Sequence, residues 1–600
     1  MPEDWLRLTT HRLDIYDESL AKTQFLDQFE ALYQDHNSKA PALNALPTAY
    51  DYIRLGHPLS CILEWSIAKL NTLNPENVIS FSSQTIPIMA VLRKNALEGK
   101  NTRIMYSGSL PESFDAERIR AVYGYEFELF PWEQETPLNT YQGSTLYISQ
   151  PYTISKKDLD PQIDFVIYGY PQLGSILIVQ GDHNHDYISE IQHVRRRETI
   201  AMTPANCLTV LGSLTGDSSL EGPKGNSEVF KTRVLNSISS ITGAPTKALV
   251  ASSGLSIQYA IMMGLVHDAQ ENHPNKPIKF IVPPNCYGGT NDQARRVATC
   301  VDNVEVVDLP VDGENDMVES IQTVLAQIAK EDGIPYIIAE IPTNPRVEVP
   351  DLLKLKEVLE RKRTTARGQN AVDPVFILDQ TFCPNVHFLG EGEILSTVRA
   401  LSYASGSKFP SGGKCTAGYV VGNEMAKEVM NKIELHLRIC DNEATQLQYE
   451  ILATQLPTMN QRIGDAYANT RDFVNFIQQH LPKAKINFVS EELASHGFTP
   501  SVFSLDLPTR GNTPEEKETF KRELNHKLIH LMISKIPNES KYCVSYGQLK
   551  GCYWTIPATS TQGTTKEGDK DYIARVALSA DMDLERHKKV FLEFTKGLTR

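Results

Sequence analysis

From Lys279 onward, short apolar runs alternate with stretches of helical spacing. The runs Phe280–Val282, Val304–Val307, Tyr336–Ala339, Val375–Leu378, Ala400–Tyr403 and Tyr419–Val421 read as strands. Between them, Asp316–Lys330 and Leu352–Arg363 carry apolar positions at helical spacing, and Asp351 stands as a cap before the second. This alternation predicts an α/β fold with a mainly parallel central sheet covered by helices. In such folds ligands bind at the carboxyl ends of the strands. Residues 436–600 mix helices and short strands and are expected to form a smaller α+β domain. Gly212–Ser227 and Pro508–Glu516 have the Gly, Ser and Pro content of a linker and a surface loop.

Composition narrows the possibilities. A chain of 600 residues implies several domains, and 41% hydrophobic residues are enough to build their cores. Lys and Arg number 59 against 73 Asp and Glu, a net charge of −14 that argues against sequence-independent binding to nucleic acid. No run of 18 apolar residues is present, so no membrane span is expected. The opening MPEDWLRLTTHRLD is polar and acidic, unlike a secretory signal. Nine cysteines without a CxxC pair argue against a zinc site or a disulfide framework, and a reducing cytoplasm is expected.

The chemistry gathers after the apolar runs. In order come Ala251-Ser252-Ser253-Gly254-Leu255, Cys286-Tyr287-Gly288-Gly289-Thr290, Glu340-Ile341-Pro342-Thr343-Asn344-Pro345, Leu378-Asp379-Gln380-Thr381-Phe382 and Ser405-Gly406-Ser407-Lys408-Phe409. Ser253-Gly254-Leu255 opens a helix, where free amides and the helix dipole favour an anion. Gly254 permits close backbone approach, and Ser405 and Ser407 add hydroxyls. Lys408 is able to form a Schiff base. Asp379 could keep a pyridinium nitrogen protonated, Asn344 could bond a ring phenolate, and Tyr287 could stack on the ring.

These segments resemble the Cys/Met-metabolism family of pyridoxal-phosphate (PLP) enzymes, the cystathionine γ-synthase group, across residues 210–600. The resemblance implies PLP fold type I, the aspartate-aminotransferase-like fold. It implies Lys408 as the Schiff-base lysine, Asp379 as the pyridinium partner, Asn344 as the phenolate partner and Tyr287 as the stacking residue. Gly254, Leu255, Ser405 and Ser407 resemble the phosphate cradle. Ile573–Ser579 resembles the segment whose arginine, here Arg575, binds the substrate carboxylate, with Asn344 and Ser545 beside it.

The family's Tyr-x-Arg motif reaches the cofactor phosphate of a neighbouring subunit. It is missing near Glu221–Asn226 and occurs instead at Tyr52-Ile53-Arg54. Around it, Val78–Leu92 parallels Leu249–Leu265, and Thr102–Pro131 reads as the following strand–helix–strand. Asp164–Tyr170 parallels Tyr336–Asn344, and Tyr187–Gly212 resembles the helices that follow the lysine region. Residues 1–210 therefore read as a truncated, degenerate copy, with Gln84 in place of the cradle glycine, Tyr170 in place of the asparagine and no lysine segment. Residues 211–435 read as the PLP-binding domain and 436–600 as the small domain. The copy would supply Tyr52 and Arg54 to the phosphate within one chain, and whole chains are expected to pair as a dimer of such pseudo-dimers.

The resemblance implies γ-replacement on an activated homoserine or sulfur amino acid through a vinylglycine-type intermediate. Tyr287 and Lys408 are the proton carriers and the only partner is a small amino-acid substrate. The alternatives are γ- or β-elimination, transamination, γ-substitution using S-adenosylmethionine in a natural-product pathway, and a non-catalytic pseudo-enzyme. Some positions depart from the family. Gly412-Gly413-Lys414-Cys415 follows the lysine where Gly-His-Ser-Asp is usual, and Lys550 replaces a glutamate in Ser545–Gly551. Lys550 either favours an acidic or large polar substrate or is a solvated loop lysine, and Lys414 equally reads as part of the changed pocket or as solvated. Gly289 disfavours a methionine γ-lyase, and Cys286 reads as a packed thiol.

Overall fold

The computed structural model describes residues 1–6, 20–47, 49–50, 52–132, 138–149, 159–216, 227–311, 315–543, 548–557 and 571–598. Three sheets organise them. The first contains β1 (Val78–Phe81), β2 (Thr102–Tyr106), β3 (Glu128–Pro131), β4 (Ser144–Ser149), β5 (Phe165–Tyr170) and β6 (Gly174–Val179), in the order β1-β6-β5-β4-β2-β3. The second contains β7 (Leu249–Ala251), β8 (Ile278–Val282), β9 (Val304–Asp308), β10 (Ile334–Glu340), β11 (Val375–Asp379), β12 (Ala400–Ser405) and β13 (Gly418–Gly422), in the order β7-β13-β12-β11-β10-β8-β9. β6 in the first sheet and β13 in the second pair antiparallel with both their neighbours, and the other pairings of these two sheets are parallel. The third sheet is β14 (Lys485–Asn487), β15 (Val502–Asp506), β16 (Ser540–Tyr542), β17 (Gly551–Pro557) and β18 (Tyr572–Ala577), in the order β14-β15-β18-β17-β16. Helices Met459–His480, Pro514–Lys535 and Leu584–Lys596 pack with it around Phe473, Phe503, Leu528 and Phe591.

Each of the six apolar runs forms a strand, one to three residues longer than the pattern alone indicated. β7, β8, β11 and β13 are buried throughout, which is why their sequences lack polar alternation. Asp316 and Asp351 cap their helices by accepting bonds from Val318 N and Glu319 N, and from Lys354 N. The second helix stops at Glu360, short of Arg363, because Arg361 is extended and the Arg363 guanidinium takes the carbonyls of Val358 and Arg361. Gly212–Thr215 belongs to helix Pro204–Thr215, which a left-handed Gly216 closes; 217–226 lie outside the described residues. The loop at Pro508 ends at Thr513, whose capping box with Glu516 opens the next helix at Pro514. Sheet order also corrects one internal match. β4, not β5, lies beside β2 as β10 lies beside β8, so Asp164–Tyr170 does not take the position of Tyr336–Asn344.

The first two sheets share a core. One apolar cluster runs from Ile79, Phe81 and Tyr125 into Tyr259, Met262 and Ile433. At this junction Arg93, on helix Ile86–Leu97, forms a buried two-pronged pair with Glu198 at the end of helix His185–Glu198. Arg93 Nη2 also donates to Tyr259 Oη at 2.9 Å, on helix Gly254–Asn272. Nearby, Asn442 donates to Glu198 O at 2.7 Å and accepts from Thr199 Oγ1 at 2.7 Å. Two buried charges repay their desolvation only in good geometry, so these bonds fix one docking position. Among the described residues, no helix is long and apolar enough to cross a membrane.

Arg93→Ala leaves Glu198 buried with Arg296 Nε, 3.7 Å away, as its remaining cation. The expected cost is about 3 kcal/mol or more, read as a lower denaturation midpoint. An unchanged midpoint would show that apolar contact alone holds the junction.

Candidate active site

The carboxyl ends of β7, β10, β11 and β12 meet at one edge of the second sheet. Ser253 caps helix Gly254–Asn272 by accepting from Ser256 N at 3.0 Å, so its hydroxyl serves the helix. The amides of Gly254 and Leu255 precede the first bonded turn. Ser405 and Ser407 share a hydrogen bond of 2.9 Å, and Ser405 N donates to Thr381 Oγ1 at 3.0 Å. A Cβ on Gly254 would lie 3.1 Å from Ser405 Cβ, so glycine is what allows the helix start to close on the serines.

Asp379 ends β11, paired in register with Glu340 at the end of β10. Asp379 Oδ1 accepts from Thr381 N at 2.9 Å, and Glu340 Oε1 accepts from Tyr287 N at 2.8 Å. Burial drives both carboxyls toward protonation, and the Asp379 charge raises Glu340 further. Tyr403, next to Asp379, donates to Gln258 Oε1 at 3.0 Å, and Thr290 donates to the same atom at 2.9 Å. Lys408 is buried, 7% exposed, and burial followed by Arg54 lowers the pKa of its amine.

Tyr287 lies at the start of helix Gly288–Cys300 and is 40% exposed. A Cβ on Gly289 would come within 2.5 Å of its ring, so a side chain there would push the ring away. Burial around the hydroxyl opposes ionisation, but Arg54, Arg197 and Lys408 outweigh it and lower the pKa of the phenol. Arg54, 5% exposed, hydrogen-bonds Tyr287 and lies 4.7 Å from the centroid of the Tyr52 ring. Tyr52 Oη donates to Ser407 Oγ at 3.3 Å. Of the Tyr-x-Arg motif, Tyr52 thus stands at a serine 355 residues further along the chain, and Arg54 at the Tyr287 hydroxyl.

Arg575, on β18, is buried between the rings of Phe382 and Trp554. Its Nη1 donates to Asn344 Oδ1 at 2.7 Å and Pro345 O at 2.9 Å, which ties the two together. Ser545 lies outside the described residues. Lys550 Nζ donates to Pro537 O at 2.9 Å in an exposed loop, and Lys414 is exposed. Burial raises the pKa of the Cys286 thiol, and that of Cys415 to about 12, so both are inert.

Residues with no role in the sequence reading also stand here. Glu340 was visible as a carboxylate ending an apolar strand, but its pairing with Asp379 depends on sheet order. Arg197 and Asp292 meet across the junction at 2.5 Å, and nothing in their sequence spacing announces it. After β1, Ser83 Oγ accepts from Ile86 N at 2.9 Å, two residues ahead of Thr85, the cap of helix Ile86–Leu97. There Gln84 N donates to Asp441 Oδ2 at 2.7 Å, a carboxylate from the far side of the junction. Among the described residues no cluster of three or more His, Cys, Asp and Glu could hold a metal.

A family model described as Cys/Met metabolism PLP-dependent enzyme matches residues 228–501. No curated protein matches the sequence. Among solved structures the chain is similar to MetB from Corynebacterium glutamicum, at 16% identity over 61% of this chain and 84% of that one, TM-score 0.46. Cystathionine gamma-lyase from yeast gives 16% identity over 61% and 85%, TM-score 0.46. Apo CalE6, a methionine gamma lyase from Micromonospora echinospora, gives 18% identity over 61% and 86%, TM-score 0.44.

Because cations lower the pKa of Tyr287 while burial raises those of Tyr52, Tyr259 and Tyr403, Tyr287 should ionise before these three as pH rises. Tyr287→Phe should delete the earliest of these four steps in the phenolate absorbance, and Arg54→Ala should move it to higher pH. A titration identical in all three proteins would refute this placement of the arginine.

Proposed function

The chain is a PLP-dependent enzyme, carrying over residues 228–501 a unit of the Cys/Met metabolism family, and from that premise we propose that it performs γ-replacement on an amino acid with an activated γ-substituent. The family's chemistry is elimination or replacement at the β or γ carbon. The choice of γ is supported by one arrangement: the Tyr287 ring, seated over Gly289 and hydrogen-bonded through its hydroxyl to Arg54, lies within electrostatic reach of the buried Lys408 amine. β-Elimination removes one carbon-bound proton, whereas γ chemistry removes a second, from Cβ, and profits from two carriers.

The residues fit the cofactor. Gly254 leaves room that any Cβ would fill, and the two buried carboxyls of Asp379 and Glu340 suit a neighbouring N–H cation. Gly254, Leu255, Ser405, Ser407, Tyr52 and Arg54 would hold the phosphate; Asp379 would hold the ring nitrogen, Tyr287 and Asn344 the ring, and Lys408 the aldehyde carbon. When bound, PLP supplies an electron sink for negative charge at Cα.

The protein's part is to position groups and carry protons. Arg575 takes the substrate α-carboxylate, oriented by Asn344. Lys408 Nζ, uncharged at lower pH than an ordinary lysine, takes the Cα proton. Tyr287, its pKa lowered chiefly by Arg54, takes the second proton, from Cβ, as a phenolate and hands it to the departing γ-substituent. The γ-substituent then leaves and a nucleophile takes its place. We further propose that residues 1–210 are a degenerate copy of the PLP unit that completes the phosphate site within the same chain; the bond from Tyr52 to Ser407 supports this.

Lys408→Ala should abolish turnover and the lysine-dependent visible absorbance of the holoenzyme. Product formation by this variant at the wild-type rate would end the proposal. With wild-type protein, a product retaining the donor's carbon chain and the added nucleophile is expected. Release of a four-carbon keto acid despite ample nucleophile would mean γ-elimination, and pyruvate β-elimination. Arg54→Ala should weaken PLP retention about tenfold or more, the worth of one charge-assisted bond, and unaltered retention would remove the N-terminal unit from the cofactor site.

A further inference from the structure

A buried polar cluster adjoins Asp379, drawn from three elements. Tyr403 on β12 is the register partner of Asp379 on β11. Gln258 lies one turn into helix Gly254–Asn272, whose start forms the cradle, and Thr290 lies in helix Gly288–Cys300, which Tyr287 precedes. Tyr403 Oη and Thr290 Oγ1 both donate to Gln258 Oε1, at 3.0 Å and 2.9 Å. The other end of that amide, Nε2, is buried and has no hydrogen-bond partner among the described residues. Tyr403 is also hydrogen-bonded to Asp379. The other titratable groups facing the Tyr403 hydroxyl are Glu340, at the end of β10, and Cys286, just before Tyr287.

A tyrosine hydroxyl has one hydrogen to give, and here a carboxyl and an amide oxygen compete for it. While Asp379 is protonated it can donate to Tyr403 Oη, and Tyr403 donates onward to Gln258 Oε1. Once Asp379 is ionised it can only accept, and it needs the Tyr403 hydrogen. Tyr403 Oη and Gln258 Oε1 would then face each other with no hydrogen between them. Turning the amide end for end removes that clash. Nε2 then donates one hydrogen to Tyr403 Oη and the other to Thr290 Oγ1, and Tyr403 donates to Asp379. The oxygen and nitrogen of an amide are nearly alike in size, so the turn needs no extra room. Each orientation leaves one amide atom unpaired, so the charge of Asp379 decides between them. We propose that Gln258 is a positioning residue that reverses its amide when Asp379 ionises, so that Tyr403 holds Asp379 as the carboxylate that keeps the cofactor's ring nitrogen protonated. This role rests on the reading of Asp379 as the partner of that nitrogen.

The test loads the protein with PLP isotope-labelled at its ring nitrogen and reads that nucleus by NMR, where protonated and neutral rings resonate apart. In wild-type protein the resonance should lie at the protonated position. Tyr403→Phe should shift it toward the neutral position, and Gln258→Leu should do so by a smaller step. Gln258→Glu, which when ionised can only accept, should hold the Tyr403 hydrogen away from Asp379 and shift the resonance as Tyr403→Phe does. In the Tyr403→Phe background Gln258→Leu should add nothing, because Gln258 acts through that hydroxyl. A merely structural Gln258 would lower the denaturation midpoint or PLP retention and leave the resonance unmoved, which overturns the inference. Atomic-resolution crystals of wild-type protein without and with PLP decide the matter without any variant. Opposite ends of the Gln258 amide on Tyr403 Oη support the proposal, and the same end in both overturns it. A wild-type resonance at the neutral position, or one that Asp379→Ala does not move, overturns the underlying reading of Asp379.

Discussion

Tyr52 reaches Ser407 and Arg54 reaches Tyr287 across a junction where helices Ile86–Leu97 and His185–Glu198 lie against helix Gly254–Asn272. Apolar packing supplies adhesion at this junction but little direction, since greasy surfaces tolerate sliding. Direction comes from the buried polar bonds: Arg93 with Glu198 and Tyr259, Asn442 with Glu198 and Thr199, Asp292 with Arg197 and His193. A shift of an ångström or two would strand charges away from water, at a cost of several kcal/mol. The geometry of the reacting centre is thus set by a boundary whose residues mostly never touch a reactant.

The centre that results is electrically lopsided. Two carboxyls, Asp379 and Glu340, close one end, held by Thr381 and the Tyr287 amide. Lys408, Arg54 and Arg197 crowd around the Tyr287 hydroxyl. In a buried setting such fixed charges act more strongly than they would in water. Burial, with Arg54 beside it, explains an amine that gives up its proton readily, and the crowd of cations explains a phenol that does so early. Neither property belongs to the residue type; each follows from neighbours drawn from distant stretches of chain.

What the sequence disclosed follows from which constraints are local. Buried parallel strands must be apolar along their whole length, so their positions were legible, and so were the polar residues that follow them: Lys408, Asp379, Ser405 and Asn344. Helix caps were legible for the same reason, Asp316 and Asp351 acting within three residues of themselves. Sheet order was not legible, since a strand's neighbour is chosen by packing. This is why Asp164–Tyr170 was matched to the wrong strand and why Glu340 drew no notice beside Asp379. The helical end of Gly212–Thr215 was concealed by composition, because small polar residues can extend a helix once its other face is buried. Asp292 with Arg197 is the least legible of all: two charged residues in unremarkable helices, meaningful only when docked.

The bond from Gln84 N to Asp441 carries a consequence for stoichiometry. A helix start that invites an anion in one half of the molecule has its counterpart in the other half already satisfied by the protein's own carboxylate. A freely diffusing phosphate would have to displace a tethered competitor, whose effective concentration at short range exceeds any that a cell supplies. The chain thus occupies that helix start with its own carboxylate, and of this pair only the amides of Gly254 and Leu255 are left to an outside anion.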